Sequence, residues 1–130
     1  MVNCFIKTDS HYKVNRKRIR LLIEKYLAEK KVKGKTEVSL SIVGDRQMKI
    51  LNKKFRNIDE TTDVLSFPML GLESQQKFKD PPDGVLRLGD IIISYPQVID
   101  EASQEETLVD DKIDELIIHG LNHLLGQNHD

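Results

Sequence analysis

A long amphipathic segment near the C-terminal end constrains the fold of this chain more than any other feature. From residue 107 to residue 125, apolar residues recur at i, i+4 in two adjacent rows, and Gly126 follows as a helix stop. Residues in such rows share one side of a helix, which must be buried against other elements. The pattern predicts a long helix that packs on the protein core.

Period-two alternation predicts strands in the rest of the chain. Val38, Leu40 and Ile42 alternate with polar residues up to Gly44, which indicates a strand with one buried face. The apolar run in residues 91–93 favours a central strand covered on both faces, and Pro96 ends it. The predicted strands are residues 2–7, 37–42, 63–67 and 85–94.

Capping residues and helical spacing predict two further long helices. Asn15 is a suitable N-cap for a helix that stops at Gly34, and Asp45 for one that runs to Arg56. A short helix is predicted at residues 100–104, and a polar loop with two prolines at residues 71–84. The apolar residues that share the core face of the second helix are Met48, Leu51 and Phe55.

The length and composition fit one compact domain. The chain has 130 residues, of which 38% are hydrophobic, and it shows no internal repeat or low-complexity tract. Strands and helices are interspersed without a regular βαβ repeat. We therefore predict a single domain over residues 1–130, of the α+β (mixed α/β) class, with about four strands in a mixed sheet packed with helices.

Cysteine content and hydropathy bear on the compartment. The single cysteine, Cys4, excludes an internal disulfide and a cysteine-built zinc site, and we expect it to be a buried core thiol. Nothing resembles a signal peptide, and no apolar run approaches the roughly 20 residues that cross a bilayer. We therefore expect a cytoplasmic protein without a membrane partner.

Charge is distributed unevenly along the chain. Ten of the twenty lysines and arginines lie in residues 13–35, against only Glu24 and Glu29, whereas residues 100–115 are predominantly acidic. A formal net charge of −1 argues against a protein that coats nucleic acid with its whole surface. The basic segment is typical of a solvated helix face, and contact with RNA phosphates is the alternative.

Three of the four histidines lie close together at the C-terminal end, at positions 119, 123 and 129. His119 and His123 are at i and i+4, so a helix presents both imidazoles on one side. Gly126 allows the backbone to leave the helix through a left-handed conformation, which can return His129 to the same point. We predict that the three side chains bind one divalent transition metal.

The number of ligands favours a catalytic metal, since three protein ligands leave a position open for water. Zinc is the first expectation, with nickel, copper and iron as alternatives. A metallopeptidase of the H-E-x-x-H type carries its general base directly after the first histidine, where this chain has Gly120. That residue weakens assignment to the ordinary peptidases.

Three blocks of sequence resemble one known family, the YbeY proteins, which are bacterial endoribonucleases implicated in ribosomal RNA maturation. Residues 119–130 (HGLNHLLGQNHD) are similar to the signature that carries the metal-binding histidines of that family. Residues 51–68 (LNKKFRNIDETTDVLSFP) and 88–94 (LGDIIIS) are similar to its second and third blocks, in the same order. Asn122 stands where the family usually has leucine, and Asn128 where it usually has aspartate.

The resemblance implies a hydrolase that cuts single-stranded RNA with a metal held by His119, His123 and His129. Arg56 aligns with a functional arginine of the family and would bind or neutralise a phosphate. Ribosomal RNA is the implied substrate, and ribosomal proteins or ribosome-associated GTPases are the implied partners. The implied roles are rRNA maturation and ribosome quality control, and the nucleophile is either a metal-bound water or a metal-assisted ribose hydroxyl.

Three polar residues in these blocks are candidates for supporting the metal ligands. Asp63, Ser66 and Asp90 lie on or beside the two predicted strands, and metal-bound imidazoles usually donate their other N–H to such groups. Capping or bracing of turns is the alternative role for the two aspartates. Strand alternation alone leaves both roles open.

Two other functions remain open from the residues. One is a metallohydrolase of a different bond, which Gly120 disfavours for peptides. The other is a non-catalytic module, stabilised by a metal, whose basic helix contacts RNA or the ribosome. Metal-dependent cleavage of RNA separates the enzyme from the module.

Overall fold

The computed structural model describes residues 2–69 and 84–126. Within them lie four strands and four helices, in an order that confirms the predicted α+β class. The elements are β1 (Val2–Thr8), α1 (Arg16–Glu29), β2 (Lys35–Val43), α2 (Asp45–Arg56), β3 (Val64–Pro68), β4 (Val85–Ser94), α3 (Tyr95–Glu105) and α4 (Val109–Leu124).

The four strands form one mixed sheet in the order β1-β2-β4-β3. β1, β2 and β4 are parallel, and β3 runs antiparallel to β4 at the edge of the sheet. Alternation along the strands puts Leu40 beside Ile91 and Ile42 beside Ile93, and all four side chains are buried. β4 is therefore central within the described sheet, as its apolar run predicts.

The main core lies between one face of the sheet and the helices α1, α3 and α4. Its buried members come from these helices and from β2 and β4: Ile19, Ile23, Tyr26, Leu27, Val38, Leu40, Ile42, Leu88, Ile91, Ile93, Val98, Ile113, Leu116, Ile117, Leu121 and Leu124. Met48 of α2 and Leu65 of β3 are also buried but lie outside this cluster. α2 packs beside the face of the sheet opposite the main core, where its Leu51 lines a groove with Ser41 and Ile92.

The start of α1 agrees with the prediction from the sequence, but its end does not. The Asn15 side chain accepts a hydrogen bond from the backbone N–H of Arg18 at 3.0 Å, which confirms the predicted cap. α1 nevertheless ends at Glu29 rather than near Gly34, because Lys31 takes a left-handed conformation. The N–H of Val32 bonds to the carbonyl of Leu27, which satisfies a terminal carbonyl of the helix.

The predicted cap of α2 is wrong. Gly44 is the N-cap, and Asp45 is the first helical residue. The Asp45 carboxylate instead accepts hydrogen bonds from Thr61 Oγ1 at 3.0 Å and Ser94 Oγ at 2.7 Å, and from the Gln97 amide at 3.2 Å. It thereby joins the start of α2 to the junction of β4 and α3.

The helix predicted at residues 100–104 is longer than expected, because α3 starts at Tyr95 directly after β4. Pro96 ends the strand as predicted, but it also occupies the first turn of α3, where a missing N–H costs nothing. Ser94 caps this helix by accepting from the N–H of Gln97. The predicted loop at 71–84 lies outside the described residues except for Gly84.

Two further expectations concern burial. Cys4 is half-buried against the core rather than fully buried, and burial raises the pKa of its thiol to about 11. The thiol is therefore protonated at neutral pH.

Among the described residues, no helix has both the length and the apolar character needed to cross a membrane.

Candidate active site

α4 carries two of the predicted metal ligands at the margin of its buried face. Asp110 and Asp111 lie in its first turn, where carboxylates interact favourably with the helix dipole. Buried residues along one side hold the helix against the core and the sheet. His119 is exposed and His123 is half-buried, one helical turn apart on the same side.

Gly120 determines how closely α4 approaches the sheet. A Cβ atom added at this position would lie 3.0 Å from three side-chain carbons of Ile91 on β4. A larger side chain would therefore push α4 away from the strand. The glutamate that a metallopeptidase carries after its first histidine would crowd Ile91 here, which is a structural reason for the glycine at this position.

The two histidines line a surface cavity together with a residue from α2 and residues from β3. The cavity has a volume of about 340 Å³. The residues that line it are Arg56, Val64, Leu65, Ser66, His119 and His123. Arg56 and the histidines are more than 60 residues apart in the chain, and the edge strand β3 lies between them. The sequence singled out Arg56, Ser66 and the histidines, but it did not indicate Val64 and Leu65 as cavity walls.

Ser66 supports His123 directly. Its hydroxyl is hydrogen-bonded to Nδ1 of the imidazole, and the pair is partly buried. An imidazole held at Nδ1 presents Nε2 as its remaining nitrogen. This is the arrangement expected of a residue that orients a metal-binding histidine.

Asn122, between the two histidines, has a partner on α1. The hydroxyl of Tyr26 donates a hydrogen bond to its side-chain oxygen, and burial raises the pKa of Tyr26. The bond ties α1 to the turn of α4 that presents the histidines. The amide at position 122, where the resembling family usually has leucine, thus has a specific structural role in this chain.

Asp63 directly precedes β3 and is not among the residues that line the cavity. Its backbone carbonyl accepts from the N–H of Ser94 at 2.9 Å, and its carboxyl faces that of Glu101. Burial, and then the proximity of Asp63, raise the pKa of Glu101, while Lys112 opposes the shift. This contact fits the bracing role that the sequence left open for Asp63.

Asp90 lies on the face of the sheet opposite Ser66. It pairs with Phe67, whereas Ser66 pairs with Ile91, and neighbouring strand residues point to opposite faces. Asp90 is exposed and lines a groove with Ser39 and Ser41 of β2. Gly89 beside it has a packing role, because a Cβ atom there would lie 2.2 Å from the carbonyl oxygen of Phe67.

His129, the third predicted ligand, lies outside the described residues, as does Asn128. Within residues 2–69 and 84–126, no group of three or more His, Cys, Asp and Glu side chains is placed to hold a metal. The described part of the chain therefore contributes two of the three predicted ligands, and the three-histidine site stays a prediction.

The comparisons with known proteins agree with the resemblance. The family model of endoribonuclease YbeY matches residues 5–130. A curated endoribonuclease YbeY from Dehalococcoides mccartyi is 36% identical, over 98% of this chain and 77% of the relative. One from Bartonella quintana is 43% identical, over 73% of this chain and 56% of the relative.

A solved structure also matches. The solution structure of TM1509 from Thermotoga maritima aligns with a TM-score of 0.60 at 26% identity, covering 100% of this chain and 75% of that one. The family model and the curated relatives extend over most of the sequence, including the blocks that carry Arg56 and the histidines. The chain therefore belongs to the YbeY family of endoribonucleases.

Proposed function

We propose that this protein is a metal-dependent endoribonuclease that hydrolyses phosphodiester bonds in single-stranded RNA. The observation that carries the proposal is the cavity that brings Arg56 together with His119, His123 and Ser66. A planar cation beside two imidazoles suits a phosphodiester. The phosphodiester is negatively charged, and further charge develops on its oxygens in the transition state, where the cation can stabilise it.

The side chains present fit a transition metal. His119 and His123 offer two neutral imidazoles on one side of a helix, and Ser66 occupies Nδ1 of His123 so that Nε2 remains for the ion. We propose His129 as the third ligand and zinc as the metal, with nickel as the alternative. A bound metal would polarise a phosphoryl oxygen and lower the pKa of water at the site.

The residues of the chain would divide the remaining work. Arg56 would bind the scissile phosphate and offset the charge that develops on its oxygens. Ser66 would hold the ring of His123 in one orientation, and the Tyr26–Asn122 bond would hold the turn of α4 that presents both histidines. Val64, on the same face of β3 as Ser66, would form an apolar wall that limits access of bulk water.

The biological setting is proposed from the family. Ribosomal RNA is the proposed substrate, and rRNA maturation and ribosome quality control are the proposed roles. Ribosomal proteins and ribosome-associated GTPases are the proposed partners, in the cytoplasm.

Metal content and RNA cleavage, measured side by side, test the proposal. His123→Ala should lower the bound metal and reduce cleavage of a single-stranded RNA by more than 100-fold. His11→Ala is the matched control, because His11 is exposed near the end of β1 and outside the cavity. It should change neither metal content nor cleavage.

A second outcome separates the enzyme from a binding module. Cleavage retained by a metal-free His119→Ala/His123→Ala double variant would contradict a catalytic metal. RNA binding without cleavage, in metal-loaded and folded protein, would favour the non-catalytic module instead. Folding of each variant is checked by circular dichroism.

A further inference from the structure

An exposed aromatic side chain lies directly beside the proposed active site. Helical spacing predicts that Phe55 shares the core face of α2 with Met48 and Leu51. Met48 is fully buried, but 55% of Phe55 is exposed. The ring therefore does not belong to the core and remains accessible to a ligand.

Phe55 is half of an aromatic pair. Its ring centroid lies 5.1 Å from that of Phe67 on β3, with the ring planes inclined at 56°. Phe67 contacts the ring in this tilted geometry, and more than half of Phe55 remains accessible to a ligand. A rigid ring loses little conformational entropy when a flat ligand packs on it.

The pair is joined to the cavity through the backbone. Phe55 immediately precedes Arg56, and Phe67 immediately follows Ser66, and Arg56 and Ser66 both line the cavity. Because successive strand residues point to opposite faces, the rings and the histidines lie on opposite sides of the edge strand β3. An extended ligand that crosses this edge of the sheet at Arg56 would contact the aromatic rings on one side and the histidines on the other.

The surrounding charge selects the kind of ligand. Lys53, Lys54 and Arg56 lie in the last turn of α2, and Lys54 Nζ is 5.2 Å from the centroid of the Phe55 ring. In the described part of the chain, none of these three cations has an ion-pair partner. Aromatic faces beside unpaired cations are the combination that binds single-stranded nucleic acid, through base stacking and phosphate contacts.

We propose that Phe55, supported by Phe67, stacks on an unpaired base of the RNA next to the nucleotide whose phosphate Arg56 binds. Lys54 and Lys53 contact the phosphates that flank this base. The inference rests on the proposed function and adds a base-stacking subsite to it. A paired base would not fit, because its faces are covered by its neighbours, so the subsite also selects single-stranded RNA.

A fluorescent oligonucleotide tests the subsite without relying on cleavage. A short single-stranded RNA carrying 2-aminopurine is titrated with the full chain, and both affinity and quenching of the base are measured. Phe55→Ala should weaken binding about tenfold and remove most of the quenching, because one stacked base is lost. Phe55→Trp should keep both signals, whereas Phe55→Leu, which is apolar but not flat, should lose the quenching.

Ile50→Ala is the matched control on the same helix. Ile50 is 52% exposed, but it lies five residues from Phe55 and therefore on another side of α2. This variant should bind and quench like the unaltered protein. In steady-state cleavage, Phe55→Ala should raise KM more than it lowers kcat.

The outcomes distinguish this inference from the proposed function. Unchanged affinity and quenching in Phe55→Ala, with cleavage intact, would overturn the subsite alone. If the unaltered protein binds and quenches the oligonucleotide through Phe55 but never cleaves RNA with any metal, the subsite stands and the proposed activity fails. Absence of RNA binding by the unaltered protein would overturn both.

Discussion

Cations in two regions of this molecule have opposite environments. At the contact of α1 with α4, Arg18 bonds to Asp111 and Asp114, each at 2.7 Å, and on α4 itself Lys112 is held by Glu105 at 3.0 Å and Glu115 at 3.2 Å. At the end of α2, Lys53, Lys54 and Arg56 have no ion-pair partner within the described residues.

The difference shows which cations support the fold and which remain for a ligand. Carboxylates raise the pKa of Arg18, and although burial alone lowers the pKa of Lys112, the glutamates raise it above its usual value. Arg18 thus links the basic segment of the sequence to the acidic one through Asp111 and Asp114. We expect the paired cations to affect stability and the unpaired ones to affect RNA binding.

Among the cations, the largest expected effect is on catalysis at Arg56. Arg56→Ala should lower kcat/KM for RNA cleavage by about 100-fold, because one donor to the developing charge is lost. Stability should change by less than about 0.5 kcal/mol, since the side chain is exposed. Single-turnover cleavage and urea unfolding measure the two quantities. If the variant unfolds readily but cleaves RNA normally when folded, Arg56 supports the fold rather than catalysis.

The next effect is on stability at Lys112. Only 5% of this side chain is exposed, and Lys112→Met leaves the surrounding glutamates without their shared cation. We expect the free energy of unfolding to fall by about 2 kcal/mol, reduced from the fully buried case because two of the glutamates are half-exposed or more. Cleavage by the folded protein should be unchanged.

The control for this change is Lys25→Met, an exposed lysine on α1. It should not change the urea concentration at the midpoint of unfolding. Equal midpoints for the two variants would show that the Lys112 cluster does not stabilise the fold.

A smaller effect concerns the salt dependence of RNA binding. Lys53→Ala/Lys54→Ala should weaken binding and reduce the slope of log affinity against log salt by about 1.4, since each phosphate contact to a single strand contributes about 0.7. Arg18→Ala should leave the slope unchanged, because its guanidinium is occupied by α4. Equal slopes in the two variants would mean that the unpaired lysines do not contact phosphate.

The smallest effect concerns pH. The pKa of Glu101 is raised by burial and by Asp63, so the folded protein disfavours its charged form. A group whose folded pKa exceeds its unfolded value stabilises the fold below the unfolded pKa and loses this contribution as pH rises through the folded value. Glu101→Gln removes this titration. The free energy of unfolding should therefore fall less as pH rises above about 4, and the difference from the unaltered protein should be less than about 1 kcal/mol. Urea unfolding at several pH values measures it, and parallel curves would contradict the shift.

Much of this fold was predictable from local pattern. The alternation around Leu40 and the cap at Asn15 involve residues close in sequence, so their conformation depends mainly on neighbours in the chain. Asp45 shows the limit of such reasoning. Its carboxylate binds Ser94 and Gln97 rather than the helix end, and those partners are about 50 residues away.

The candidate site also combines features that local sequence predicts with features that only tertiary packing determines. The spacing of His119 and His123 determined that both imidazoles lie on one side of α4, because an i, i+4 pair is a property of any helix. The resemblance singled out Arg56 and Ser66, but only the packing of α2, β3 and α4 brings them into one cavity with the histidines. Neither aspartate lines this cavity, and strand register places Asp90 on the opposite face of the sheet from Ser66.

The sequence by itself determined the element types, the family and the chemical identity of the candidate ligands, since these depend on residue order and short-range geometry. Only the tertiary structure decided which cations pair with carboxylates, why a side chain at position 120 would crowd Ile91, and why Phe55 remains exposed beside Arg56. Each of these depends on contacts between elements distant in the chain, which local periodicity does not encode.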